Sequence, residues 1–192
     1  MQCKRTAVAR DAGFKTRAED GNLYIEGYFA VYNSRYDLWD NAYETIAPGA
    51  FDGETSGDVR ALTNHDTTLV LGRTTAGTLT LRTDDRGLWG SITINQNDVD
   101  AMNTYERVKR GDVSQCSFGF DILDQDVEHT DGEPTVWTIR KVKLYEVSVV
   151  TFPAYTDTSV EARKKDLTEI HKRKSAEWKR QAIEKLKNIM SH

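Results

Sequence analysis

The sequence is short of the residues that build cross-links and metal cages. Cys3 and Cys116 are the only cysteines in 192 residues, and no C-x-x-C spacing occurs. That excludes a disulfide framework and a thiolate zinc site, and no metal or cofactor is expected. No apolar run approaches the ~20 residues that a transmembrane helix needs, so no membrane span is expected. Met1 to Arg17 is basic but has no apolar stretch, so no secretory signal is expected either. Internal repeats and low-complexity tracts are missing. Histidine is scarce: within residues 1–160 only His65 and His129 occur, which narrows the search for a base that works near neutral pH.

Charge is plentiful but unevenly placed. The net charge is -4, yet residues 161–192 carry ten Lys/Arg against five Asp/Glu, and the first 160 residues carry 16 against 25. An acidic body would repel phosphate, so specific nucleic-acid binding is not expected. The length suits one domain of about 150 residues plus an appendage. We expect a domain over 1–160 and a basic helical tail over 161–192.

The body reads mainly as β. Leu23, Ile25, Phe29 and Val31 alternate on one face of a strand, with Gly27 among them. Residues 33–57 read as loop, with turn chemistry at Pro48-Gly49. Leu79–Arg82 and Leu88–Ile94 form a hairpin signal around Asp84-Asp85-Arg86-Gly87. Ser117–Leu123, Thr135–Val142 and Leu144–Thr151 read as three more strands. Asn97 to Lys109 is the clear helix of the body, capped by Asn97 or Asp98 and ended by Gly111. The tail reads as a long amphipathic helix, broken near Lys174-Ser175. Many short strands and few helices predict a barrel-like β domain.

Three positions invite chemistry. His65 ends a strand, where a rigid scaffold can display a base, although a lone histidine is more often structural. His129 sits among acidic residues at a hairpin tip and reads as solvated. Ser117 begins a strand in Ser114-Gln115-Cys116-Ser117-Phe118-Gly119-Phe120. Alternation puts Phe118, Phe120 and Ile122 in the core and Ser117, Gly119 and Asp121 on the other face. Gly119 would leave room for a substrate backbone. Ser114 is an alternative nucleophile. Cys116 is a chemical rival, but its alternation puts it with the core phenylalanines. Glu146 lies in Leu144-Tyr145-Glu146-Val147-Ser148-Val149-Val150, where Leu144, Glu146, Ser148 and Val150 share a face. A carboxylate in such a run needs a partner, since burying it alone costs several kcal/mol. His65 or an arginine could supply it; a structural ion pair or a wet edge strand is the alternative. Together His65, Ser117 and Glu146 are a base, a nucleophile and a base-orienter.

The order of Glu26-Gly27-Tyr28-Phe29-Ala30-Val31, Glu44-Thr45-Ile46-Ala47-Pro48-Gly49-Ala50-Phe51, Leu62-Thr63-Asn64-His65-Asp66, Leu71-Gly72-Arg73, Cys116-Ser117-Phe118-Gly119-Phe120 and Leu144 to Ala154 resembles the HK97-type tailed-phage prohead serine proteases. The resemblance implies a fold like that of the herpesvirus assembly proteases: a partly open β-barrel with flanking helices. It implies a serine endopeptidase with His65 as base, Ser117 as nucleophile and Glu146 as the third member. The arginine pair that follows the third member in the herpesvirus enzymes is absent here. A backbone N–H near Gly119 or from the Gly72-Arg73 turn is then the candidate oxyanion donor. The implied substrates are scaffold, the scaffolding segment of the major capsid protein, and the protease itself. The implied place of work is the immature capsid in the host cytoplasm. A non-catalytic capsid-assembly or scaffold module is the alternative. The tail could dock to such a partner, be removed, or pack on the barrel.

Overall fold

A computed structural model describes residues 5–9, 13–152 and 157–190. The chain divides into two units, Met1–Thr156 and Asp157–His192.

The first unit holds β1 (Arg5–Ala9), β2 (Lys15–Glu19), β3 (Asn22–Val31), β4 (Tyr36–Trp39), β5 (Ala42–Ile46), β6 (Arg60–Thr63), β7 (Asp66–Arg73), β8 (Leu79–Thr83), β9 (Gly87–Thr93), α1 (Val99–Arg110), β10 (Gln115–Glu128) and β11 (Thr135–Val150). One sheet of four antiparallel strands runs β2-β3-β9-β8. The other, of seven, is organised by the long β11. One edge of β11 pairs antiparallel with β10, and β10 in turn with β1. The other edge takes two parallel partners in succession, β5 along Thr135–Ile139 and β6 along Glu146–Val149. The sheets do not close into a barrel, which fits the expectation of a partly open one.

Two sequence readings need correction here. Residues 33–57 contain β4 and β5, not loop alone. Their strand signal is diluted by the polar residues Asp37 and Glu44 inside them, which pairing overrides. The two expected strands at 135–142 and 144–151 are one strand. Its continuity is bought by the turn after β5: the Val142 N–H donates to Ala50 O (3.1 Å) and the Leu144 N–H to Glu54 Oε2 (2.9 Å), bridging the gap between the two parallel partners.

The core gathers side chains from both sheets and α1. Phe51 meets Phe118 edge to face and Phe118 stacks on Phe120, with ring centroids 5.4 and 4.7 Å apart, and all three are fully buried. Each such ring contributes about 1.5–3 kcal/mol by leaving water. Cys116 is buried among them, as its alternation suggests. Helix α1 starts at Val99, two residues after Asn97, and its cap is the second of the two expected ones. Asp98 caps it, its Oδ1 accepting from the Asp100 and Ala101 N–H groups (2.9 and 3.2 Å), and Gly111 ends it at φ 83°.

The second unit contains one continuous helix, α2 (Asp157–Met190), without the break expected near Lys174-Ser175. Nothing there demands one, since Lys and Ser are tolerated in helix interiors and neither Pro nor Gly occurs. Trp178 and Ile183 are exposed on it.

Candidate active site

The site is built at the second half of β11, where β10 and β6 flank it. Glu146 stands opposite Gly119 of β10 and Arg60 of β6. Ser148 stands opposite Ser117 and Leu62. Cross-strand partners share a face, so Ser117, Gly119, Glu146 and Ser148 form one patch. Leu144 is not part of it. The register slips between Gly119 and Phe120, leaving Tyr145 as the extra residue of a β-bulge, and Leu144 turns with Phe120 into the core. The simple alternation that put Leu144 beside Glu146 fails at that bulge.

His65 reaches the patch from a two-residue hairpin. Thr63 pairs with Asp66, and between them Asn64 and His65 both have positive φ, 52° and 62°. That is the pattern of a type I′ turn, whose second position usually holds glycine. Asn and His tolerate this region better than most residues, at a cost on the order of 1 kcal/mol. The surroundings hold the turn in place. The Asn64 N–H donates to Val149 O, and Asn64 Oδ1 accepts from the Thr151 N–H (both 2.9 Å). Thr104 of α1 donates to Asp100 O, so the Thr63 hydroxyl donates to Thr104 Oγ1 at 3.1 Å.

The His65 imidazole meets the carboxylate expected to need a partner. Nδ1 lies 2.7 Å from Glu146 Oε1. A carboxylate can only accept, so Nδ1 carries the hydrogen, and in the neutral ring Nε2 has the lone pair. The other oxygen, Oε2, accepts from the Ser148 hydroxyl at 2.5 Å. Ser148 Oγ in turn accepts from the His65 N–H at 3.3 Å. Glu146 is only 6% exposed. Both of its oxygens are hydrogen-bonded, which offsets the cost of burial.

Gly119 has a different role from the one expected. A β-carbon there would stand 3.0 Å from Glu146 Cγ and overlap Oε1. The space that it leaves is filled by the carboxylate, not kept for a substrate. Ser117 is fully buried, and its hydroxyl has no hydrogen-bond partner. On the side away from β11, β10 pairs with β1, where Val8 stands opposite Ser117. Ser114 is exposed and precedes β10. The Arg73 N–H, one candidate oxyanion donor, is already given to Thr78 Oγ1 (2.9 Å). His129 is not solvated as expected: its side chain is 12% exposed and its Nδ1 lies 2.8 Å from Thr135 Oγ1. A cleft of about 270 Å³ opens beside Glu146, lined by Arg60, Leu62, Thr67, Val70 and Tyr145. No cluster of His, Cys, Asp and Glu suited to a metal occurs among the described residues.

Sequence reasoning missed Ser148 as a partner of Glu146 and Asn64 as the anchor of the turn. The signal for the first was present, since Glu146 and Ser148 are two apart in a strand and must share a face.

An imidazole of fixed tautomer, a buried carboxylate behind it and a serine hydroxyl without a partner are the ingredients of acyl-transfer chemistry. The model of the caudovirus prohead serine protease family matches residues 12–173, and the chain belongs to that family. It is therefore a protease of serine type whose work lies among the capsid proteins of the phage prohead. No curated protein and no solved structure gives a significant match.

Proposed function

We propose that the chain is an endopeptidase in which Ser117 attacks the scissile carbonyl, His65 Nε2 takes its proton, and Glu146 orients and stabilises the imidazolium. The observation that carries this reading is the 2.7 Å bond from His65 to a carboxylate in an otherwise apolar strand. The proton then passes from imidazolium to the leaving amine, and water repeats the cycle on the acyl-enzyme. The cleft beside Glu146 takes a substrate side chain. Ser117 has no exposed surface, so attack requires that its hydroxyl be uncovered. The substrates are the scaffolding segment of the major capsid protein and the protease itself. The basic α2 serves as a handle for an acidic partner.

The test is co-expression with the phage's capsid protein, followed by mapping of the cleaved bonds. Wild type should cut the capsid protein, while Ser117→Ala and His65→Ala fold normally and lose on the order of 10⁴-fold or more in rate. Processing by Ser117→Ala but not Ser114→Ala would overturn the choice of nucleophile. Removing residues 161–192 should lower incorporation into proheads; unchanged incorporation removes the handle.

A further inference from the structure

We propose that Ser148 is a positioning residue of this site, holding the acid and the base in register with one hydroxyl. The inference rests on the His65–Glu146–Ser117 reading above and extends it by a fourth residue.

Ser148 is fully buried, and its Oγ makes two bonds that join the two partners. It donates to Glu146 Oε2 at 2.5 Å, at the short end of charge-assisted O–H···O bonds. It accepts from the His65 backbone N–H at 3.3 Å. One bond fixes the rotation of the carboxylate about its own plane. The other ties that carboxylate to the backbone of the residue whose ring it must face. Without the hydroxyl, Oε2 would be a buried anionic oxygen with no donor, and the carboxylate would turn to find one.

The chemistry of the donor matters as much as its place. A buried carboxylate could equally be satisfied by arginine. A guanidinium would cancel the negative charge that an imidazolium needs when the serine proton arrives. A serine hydroxyl satisfies the oxygen and leaves the charge in place. It also draws some electron density away, so its loss makes Glu146 more basic toward His65. A more basic carboxylate holds the imidazolium more firmly. His65 would then become a free base only at higher pH.

The other charged and titratable groups around the pair stay unchanged in such a variant. Arg60 of β6 stands opposite Glu146 and is bridged to Asp58. Asp66 of β7 accepts from the Thr68 hydroxyl and N–H. The Tyr145 hydroxyl donates to Asp121 of β10. Asp98 caps α1 and Asp100 lies in its first turn.

The experiment uses the full chain and a fluorophosphonate probe, reading the rate of covalent labelling against probe concentration and pH. Ser148→Ala removes the hydroxyl. Ser148→Thr and Ser148→Val form a pair of nearly equal shape that differ only in it. Ser148→Ala and Ser148→Val should lower the limiting labelling rate about 10- to 100-fold with little change in probe affinity. Their acidic limb should move to higher pH. Ser148→Thr should keep both properties near wild type. The proposal is overturned if Ser148→Ala and Ser148→Val label like wild type with an unmoved acidic limb, or if Ser148→Thr falls as far as Ser148→Val. It is also overturned if the hydroxyl-free variants lose their thermal unfolding transition, because the hydroxyl is then structural. Ser117→Ala separates the two readings. If it still labels at the same site, the nucleophile assignment fails whatever Ser148 does. If it is inert while Ser148→Ala is normal, only the role of Ser148 falls.

Discussion

A glutamate in one sheet and a glutamate in the other are buried to the same degree, and the two are held in opposite ways. Glu26 of β3 and Glu146 of β11 are both 6% exposed. Each accepts a serine hydroxyl and a nitrogen donor. For Glu26 these are Ser91 (3.1 Å) and Arg17 Nε (3.0 Å), with the Arg17 guanidinium 3.9 Å above the Tyr24 ring. For Glu146 they are Ser148 and His65. Burial pushes the Glu26 carboxyl up, but the bonds from Arg17 and Ser91 more than reverse it, so it stays ionised below the usual range. Its partner is always charged, and the pair is inert. The partner of Glu146 is an imidazole, which can take up and release a proton where a guanidinium cannot, so that pair can pass charge. What separates an ion pair that holds a sheet from one that serves a reaction is here the partner's ability to titrate, not the depth of burial.

Exchanging the acids for amides should split the pair most widely. Glu146→Gln should cost on the order of 10²- to 10⁴-fold in labelling rate, because an amide no longer enforces one imidazole tautomer. Glu26→Gln should leave that rate within a factor of about two and lower unfolding stability by about 1–2 kcal/mol. Denaturant melts and labelling kinetics on both variants check it; equal losses of rate would erase the distinction.

The glycines sharpen the same contrast. Gly119→Ala drives a methyl into the Glu146 carboxylate, and misplacement by about 1 Å is worth on the order of 10²-fold in rate. Gly90→Ala in the other sheet meets Phe29 Cε2 at 2.7 Å and Leu81 Cδ2 at 2.9 Å. It should cost about 1–3 kcal/mol of stability by overpacking, with labelling preserved in the folded fraction.

The smallest effect is expected at Asp58. Hydrogen bonds from Arg73 at 2.7 Å, with Arg60 nearby, hold its carboxyl down at about 2. A depressed carboxyl stabilises the fold above the ordinary carboxylate range and loses that contribution as pH falls through about 2. Asp58 is exposed, so Asp58→Asn should lower the melting temperature only slightly at pH 7, and the difference should close in acid. A labelling rate changed more than about two-fold would mean that the Asp58–Arg60 pair acts on Glu146 after all.

Much of this architecture could be read from local pattern. The strand alternation around Phe118 and Phe120, the Asp98 cap and the need of Glu146 for a partner all depend on residues within a few positions. What escaped depends on partners far along the chain. Strands β4 and β5 are short and carry polar residues inside, and become strands through pairing with each other and, for β5, with β11. The bulge at Tyr145 is a slip of register between two strands, invisible in either alone. The reason for Gly119 is the Glu146 side chain arriving from across the sheet. His129 looked solvated because its sequence neighbours are polar, yet Thr135 covers it from the far side of the turn. Asn64-His65 escaped as a turn because histidine occupies a position where glycine is the usual signal.

That hairpin has a consequence for how the protein can vary. Two residues are the least that can join antiparallel strands, so the base hangs from a connection without slack. Lengthening the loop by one residue would carry His65 away from Glu146 while β6 and β7 could still pair. Drift in this region is therefore confined to substitution, not insertion. The positions open to it are the outward ones of β7, such as Thr67 and Val70, which line the cleft. A lineage could retune what the cleft accepts there while the distance between base and acid stays fixed by the sheet itself.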